Sequence, residues 1–171
     1  MKTIAAILLL IVPSMWLEAQ QNMIPALQLK DLDGKNISSS EITKPGVPTL
    51  LVFWNSSNGK CCDNLANLEE AWSGSLRDQG VRMVVICTGC NGNYSNIKPF
   101  VNGNHWEFET LIDVNGDFKR AMGVCEGPCT MLFNEDQEMV CRNNEVCTGS
   151  QEFICTSFIK HLNNSLTAKD F

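Results

Sequence analysis

Leu51-Val52-Phe53-Trp54-Asn55-Ser56-Ser57-Asn58-Gly59-Lys60-Cys61-Cys62 decides how this 171-residue chain is read. Its first residues complete a continuous apolar run, Thr49 to Trp54, of strand length. A run without polar alternation suits a strand covered on both faces. Polar turn residues follow, and then the period changes. Leu65, Leu68, Trp72 and Leu76 recur at helical spacing, and Gly80 closes the helix. A buried strand therefore passes through a tight turn straight into a helix, and two adjacent cysteines stand near the start of that helix.

Working outward, Val81 to Cys87 reads as a second buried strand and Tyr94 to Val101 as a helix. Phe108 to Ile112 is a short strand closed by Asp113-Val114-Asn115-Gly116, and Asp117 to Met122 is a short helix. Gly127-Pro128 breaks the chain before the strand Cys129 to Phe133. Asn134 to Gln137 is a hairpin turn into Glu138 to Cys141. A last helix, Ser150 to Leu162, would bury Phe153, Ile154, Phe158 and Ile159. On the N-terminal side, Ile24 to Leu29 precedes the turn cluster Asp31 to Lys35, and Pro45-Gly46-Val47-Pro48 forms a second break. Strands alternating with helices and ending in a hairpin and a helix predict an α/β sandwich around one mixed sheet.

Residues 1–20 read as an export signal: Lys2 supplies a positive start, Ile4 to Leu17 an apolar core, and Ala19 a small residue near the cleavage point. The alternative is an uncleaved N-terminal membrane anchor. Residues 21–166 form one domain, long enough for a sizeable core, and 167–171 a flexible tail. A net charge of −6 argues against a nucleic-acid partner. Nine cysteines suit an exported, oxidising setting. Their odd number leaves a thiol unpaired or paired between molecules. Sequons begin at Asn36, Asn55, Asn93 and Asn163.

Taken together, these segments resemble the thioredoxin-like superfamily, and within it the exported thiol–disulfide oxidoreductases of the TlpA/ResA type. Pro25 with Leu29 to Lys35 is similar to the family's N-terminal hairpin. Phe53-Trp54 precedes the active turn, and Cys61, Leu65, Leu68, Glu69 and Glu70 fit the helix that follows it. Phe108 to Asp113 looks like the central extension, and Gly123-Val124 with Pro128 and Thr130 like the cis-proline loop. The resemblance implies a thioredoxin-like fold with an N-terminal hairpin extension. It implies protein thiols or disulfides as substrates, a membrane electron donor as a further partner, and no cofactor. It also implies a substrate groove at Trp54, Asn58, Gly127 and Pro128.

The match fails at its centre. The family's Cys-x-x-Cys is here Asn58-Gly59-Lys60-Cys61, so the resolving cysteine is present and the nucleophile is not. On the assumed fold, Cys61, Cys62, Cys87, Cys90, Cys125 and Cys129 gather near one end of the sheet. One expectation is a relocated redox centre with catalytic residues Cys61, Cys90 and Cys129, in which Cys61 pairs with Cys90 or Cys129. Lys60 could favour the Cys61 thiolate.

The other expectation is a set of structural disulfides drawn from Cys87, Cys90, Cys125, Cys129, Cys141, Cys147 and Cys155, bracing a binding module. A third reading has thiols such as Cys87, Cys90, Cys125 and Cys129 holding zinc or copper(I). His105 and His161 read as solvated, and the acidic turn residues Asp31, Asp33, Asp113 and Asp117 as solvated or locally hydrogen-bonded.

Overall fold

The computed structural model describes residues 24–89, 94–125 and 128–144. The expected last helix, and with it Cys147 and Cys155, lies outside the described residues. So do the N-terminal segment, Cys90 and Gly127.

Seven strands form one mixed sheet: β1 (Gln28–Asp31), β2 (Asn36–Ser38), β3 (Thr49–Asn55), β4 (Arg82–Thr88), β5 (Glu109–Ile112), β6 (Cys129–Phe133) and β7 (Met139–Asn143). Their spatial order is β2-β1-β5-β4-β3-β6-β7. The centre is parallel, β3 with β4 and β4 with β5, and both sides close with antiparallel pairs. The continuous apolar runs explain this placement: β3 and β4 are buried almost from end to end, as strands covered on both faces must be.

Helix α1 (Gly59–Ala71) begins at the turn after β3. It continues as a π-helical turn, Trp72–Leu76. Leu65, Leu68, Trp72 and Leu76 are all buried against the sheet. Each such side chain contributes about 1.5–3 kcal/mol by leaving water. Trp72 also donates its Nε1–H to the Val81 carbonyl at 2.7 Å, so the indole ties the helix end to the start of β4. Helix α2 (Ile97–Gly103) lies on the same face, and α3 (Asp117–Ala121) packs on the other.

Two buried clusters sandwich the sheet. One holds Trp54, Val85, Cys61 and Leu65; the other holds Phe53, Val84, Phe118 and Met131. Asp113, expected to be solvated or locally hydrogen-bonded in its turn, is buried and takes the second course. Its carboxylate accepts the Phe118 N–H at 3.3 Å and the Lys119 N–H at 2.8 Å, which satisfies donors at the start of α3. Among the described residues, no helix is long and apolar enough to cross a membrane.

A candidate thiol centre

The strand registers decide which cysteines can meet. Trp54 pairs with Cys87 across β3 and β4, and Phe53 pairs with Cys129 across β3 and β6. Successive strand residues point to opposite faces. Cys87 therefore shares the face of Trp54, and Cys129 shares the face of Phe53. The packing agrees. Cys61, reaching in from α1, joins the cluster of Trp54 and Cys87, while Cys129 sits in the cluster of Phe53 and Phe118. The expected gathering of thiols at one end of the sheet is split by the sheet itself. Cys61 and Cys129 lie at the same end but on opposite faces, so the structure does not bring this pair together.

Asn58 stands immediately before α1, where an Asn is among the best-suited residues. Its carbonyl accepts the N–H groups of Cys61 at 3.0 Å and Cys62 at 3.2 Å, and its own N–H donates to the Asn55 carbonyl at 3.1 Å. Asn58, expected at the family's nucleophile position, thus opens the helix through its backbone while its side chain is exposed.

Cys61 is only 1% exposed. Burial pushes its thiol above the ordinary value of 9.0, a hydrogen bond from the Asn55 backbone pulls it back by favouring the thiolate, and neighbouring Cys62 adds a push upward. Cys62 is half-buried and turns toward the preceding loop, with its thiol 3.8 Å from the Ser56 carbonyl.

Asn55 organises the turn. It ends β3 opposite Thr88, and its Oδ1 accepts the Ser57 N–H at 3.0 Å, an Asx turn. Gly89 leaves β4 directly over this side chain. Its φ of +75° is left-handed, and a Cβ there would meet the Asn55 Nδ2 at 2.9 Å and Oδ1 at 3.0 Å. A residue with a Cβ would be strained there and would push the Asn55 carboxamide aside. Cys90 follows Gly89 in sequence and lies outside the described residues. Nothing in the sequence pattern marked Asn55 as more than a sequon. The signal available was an Asn two residues before a Ser at a strand end, facing a glycine at the end of the next strand.

On the opposite face, the Cys129 thiol donates to the Asn144 Oδ1 at 3.1 Å, and Arg142 Nε donates to the same oxygen at 2.9 Å. Burial raises this thiol, and the Arg142 guanidinium offsets part of the rise. Arg142 also donates to the carbonyls of Met122 at 2.9 Å and Gly123 at 2.7 Å. Cys125, just beyond that clamp, is exposed. Cys141 is half-buried, and it pairs with Leu132 at the edge of the sheet on the Cys61 face.

Among the described residues, Cys61, Cys62, Cys125, Cys129 and Cys141 form no disulfide, and no three metal-binding side chains converge. Pro128 is buried beside β6, one residue beyond the Phe53–Cys129 pair and so level with Trp54. The bond expected to be cis joins it to Gly127, outside the described residues. Trp54 is buried, its ring tilted against Phe100 with centroids 5.5 Å apart and edge-on to Trp106 at 6.0 Å; among the described residues its Nε1 has no acceptor.

A family model, the AhpC/TSA family, matches residues 21–142. The chain belongs to the AhpC/TSA family. It is 29% identical over 112 residues to the thiol–disulfide oxidoreductase ResA of Halalkalibacterium halodurans, covering 66% of this chain and 61% of that relative. The chain spans about three-fifths of the length of the curated relatives it matches. Among solved structures it is similar to a thioredoxin-like protein of Porphyromonas gingivalis. That match has a TM-score of 0.71 and 26% identity, over 82% of this chain and 92% of that one. It shares its fold with a secreted disulfide oxidoreductase of Mycobacterium tuberculosis. Here the TM-score is 0.63 and the identity 18%, over 81% and 96% of the two chains. The fold is thioredoxin-like, and its neighbours include thiol–disulfide oxidoreductases.

Proposed function

We propose that this chain is an exported thiol–disulfide exchange protein whose redox pair is Cys61 and Cys90. The observation that carries this reading is the contact of Gly89 with Asn55. The backbone of Asn55 is hydrogen-bonded to Cys61, and its side chain supports the residue preceding Cys90. No comparable bridge connects Cys61 to Cys129, which is on the other face of the sheet. Export is supported by the apolar segment Ile4 to Leu17 behind Lys2.

In the oxidised protein a substrate thiolate attacks one sulfur of the Cys61–Cys90 bond. It forms a mixed disulfide and releases the other sulfur as a thiolate, which takes up a proton. A second substrate thiolate then attacks the mixed disulfide, and the substrate disulfide departs. The protein gains two electrons and two protons, and the substrate loses them. The reverse sequence reduces a substrate disulfide. Protein dithiols and disulfides are the substrate class.

Disulfide mapping tests the pair. Protein equilibrated in glutathione buffers is quenched in acid, alkylated under denaturing conditions and digested. A Cys61–Cys90 peptide that appears and disappears reversibly with the buffer is expected. Full alkylation of Cys61 under the most oxidising buffer refutes the pair. A Cys61→Ser variant that retained full exchange activity would leave only a binding module.

A further inference from the structure

Trp54 carries a polar group that the fold leaves without an acceptor. The residue is only 1% exposed, and among the described residues its indole Nε1–H is unmatched. A buried donor without a partner is rare in folded proteins and needs a reason. Trp72 shows the ordinary outcome, since its own Nε1–H is bonded to the Val81 carbonyl at 2.7 Å. Trp54 is the next-to-last residue of β3, at the carboxyl end of the parallel strands, and α1 with its thiols begins just beyond it. Ligands of open α/β sheets bind outside those strand ends.

Two rings from the crossover between β4 and β5 cover Trp54. Phe100, on α2, lies against it with centroids 5.5 Å apart; Trp106 meets it edge-on at 6.0 Å; and the two covering rings stand 5.6 Å from each other. The cover is itself open to solvent. Phe100 is 37% exposed, one of two large hydrophobic side chains exposed among the described residues, and Trp106 is half-buried. The backbone turns sharply between them, because His105 takes a left-handed φ of 57°. An apolar ring at the surface thus stands one ring away from a buried, unmatched donor, and that donor shares its cluster with Cys61. Neither Phe100 nor Trp106 belongs to the groove that the resemblance implies around Asn58 and Pro128.

We infer that Trp54, Phe100 and Trp106 form a docking subsite for the polypeptide segment beside the reacting cysteine of a substrate protein, an inference that rests on the proposed function above. An aromatic or large aliphatic side chain of that segment packs on the Phe100 and Trp106 rings. A backbone carbonyl of the segment accepts the Trp54 Nε1–H once Phe100 swings outward, and every residue of a polypeptide offers such an acceptor. A small disulfide with neither a carbonyl nor an apolar side chain gains nothing here. The subsite therefore favours protein substrates over small ones, and among proteins those with an apolar residue next to the cysteine. No bond is made or broken in the docking itself.

The test measures second-order rate constants at pH 7 for reduction of three disulfides by the reduced protein. They are bis(2-hydroxyethyl) disulfide and two short peptide disulfides that differ only in Phe or Ser beside the cysteine. The parent is expected to reduce the Phe peptide about two- to tenfold faster than the Ser peptide, the range of one aromatic pair. Phe100→Gln should bring that ratio to about one, while Phe100→Leu, still apolar, keeps part of it; melting checks that each variant folds. Trp54→Phe keeps a ring but removes the donor, and should lower both peptide rates about three- to tenfold relative to the hydroxyethyl rate. If the parent shows no preference for Phe, or Phe100→Gln retains it, the subsite is overturned and the exchange function stands. If Trp54→Phe leaves the peptide-to-small ratio unchanged, the carbonyl contact is overturned. If Phe100→Gln instead converts a dimeric parent into a monomer in sedimentation and leaves the preference intact, the patch joins two copies of this chain and the subsite is again overturned. If the parent exchanges with none of the three disulfides, the proposed function fails and the inference falls with it.

Discussion

Replacing Gly89 by Ala tests its contact with Asn55, and the cost can be worked out from the structure. At φ +75° an L-residue is strained by about 1–2 kcal/mol. The new methyl would stand 2.9 Å from the Asn55 Nδ2 and 3.0 Å from Oδ1, too close for either to remain in place. Moving the carboxamide breaks its bond to the Ser57 N–H, worth about 1 kcal/mol. Restricting the unfolded chain returns about 0.4–1 kcal/mol. The net loss is about 1–2.6 kcal/mol, read as a lower urea midpoint with an unchanged slope in the reduced protein.

Gly34 supplies the control. It has a φ of +84° and nothing within 4 Å of a built Cβ. Gly34→Ala should therefore show the backbone strain alone, and the difference of about 1 kcal/mol between the two variants isolates the contact with Asn55. Equal losses in the two variants would refute the reasoning, because the contact of Gly89 with Asn55 would then have no energetic content.

The opposite face should be independent of exchange: Cys129→Ala is expected to leave the Cys61–Cys90 equilibrium against glutathione unchanged, and a loss of the pair would contradict the two-face arrangement. Phe118 is fully buried and stacked on Phe53 at 5.6 Å, so Phe118→Ala should cost about 3–5 kcal/mol in urea unfolding. The raised thiols of Cys61 and Cys129 hold protons more firmly in the folded than in the unfolded protein. Their stabilising effect is thus fully present below pH 9.0 and lost as pH rises through the folded values. The reduced protein should accordingly lose stability above that pH, and a Cys61→Ala, Cys129→Ala double variant should lose less.

The fold was legible because its strongest signals are local. The apolar runs ending at Trp54 and Cys87 are too long and continuous to be half-exposed strands, and the Leu65, Leu68, Trp72, Leu76 stripe has one helical reading. The limits of β6 match the expected Cys129 to Phe133, because Pro128 and the Asn134 turn bound it on both sides. The site was legible only in part. A sequence places Cys61 and Cys129 at the same end of the sheet, but which face each takes depends on the register of β3 with β6, a long-range property. Asn55 escaped notice for the same reason: its contact with Gly89 spans two strands and appears in no local pattern.

Asn58 at the open end of α1 also constrains how the proposed pair can begin its chemistry. A thiol at the open end of a helix is the usual attacking group, because the backbone N–H groups and the dipole there favour thiolate. Here that place is held by an amide side chain, and the nearest motif thiol, Cys61, is buried with its proton bound more tightly than usual. Each unit of raised pKa removes about a factor of ten in thiolate at neutral pH. Cys61 is therefore a poor initiator, whichever cysteine it pairs with. The first attack must come from a thiolate other than Cys61, on the incoming protein or on the Cys90 loop, and Cys61 serves as the buried sulfur that is exchanged second. A centre so arranged would work by receiving an attack more readily than by making one, because its buried motif thiol holds its proton.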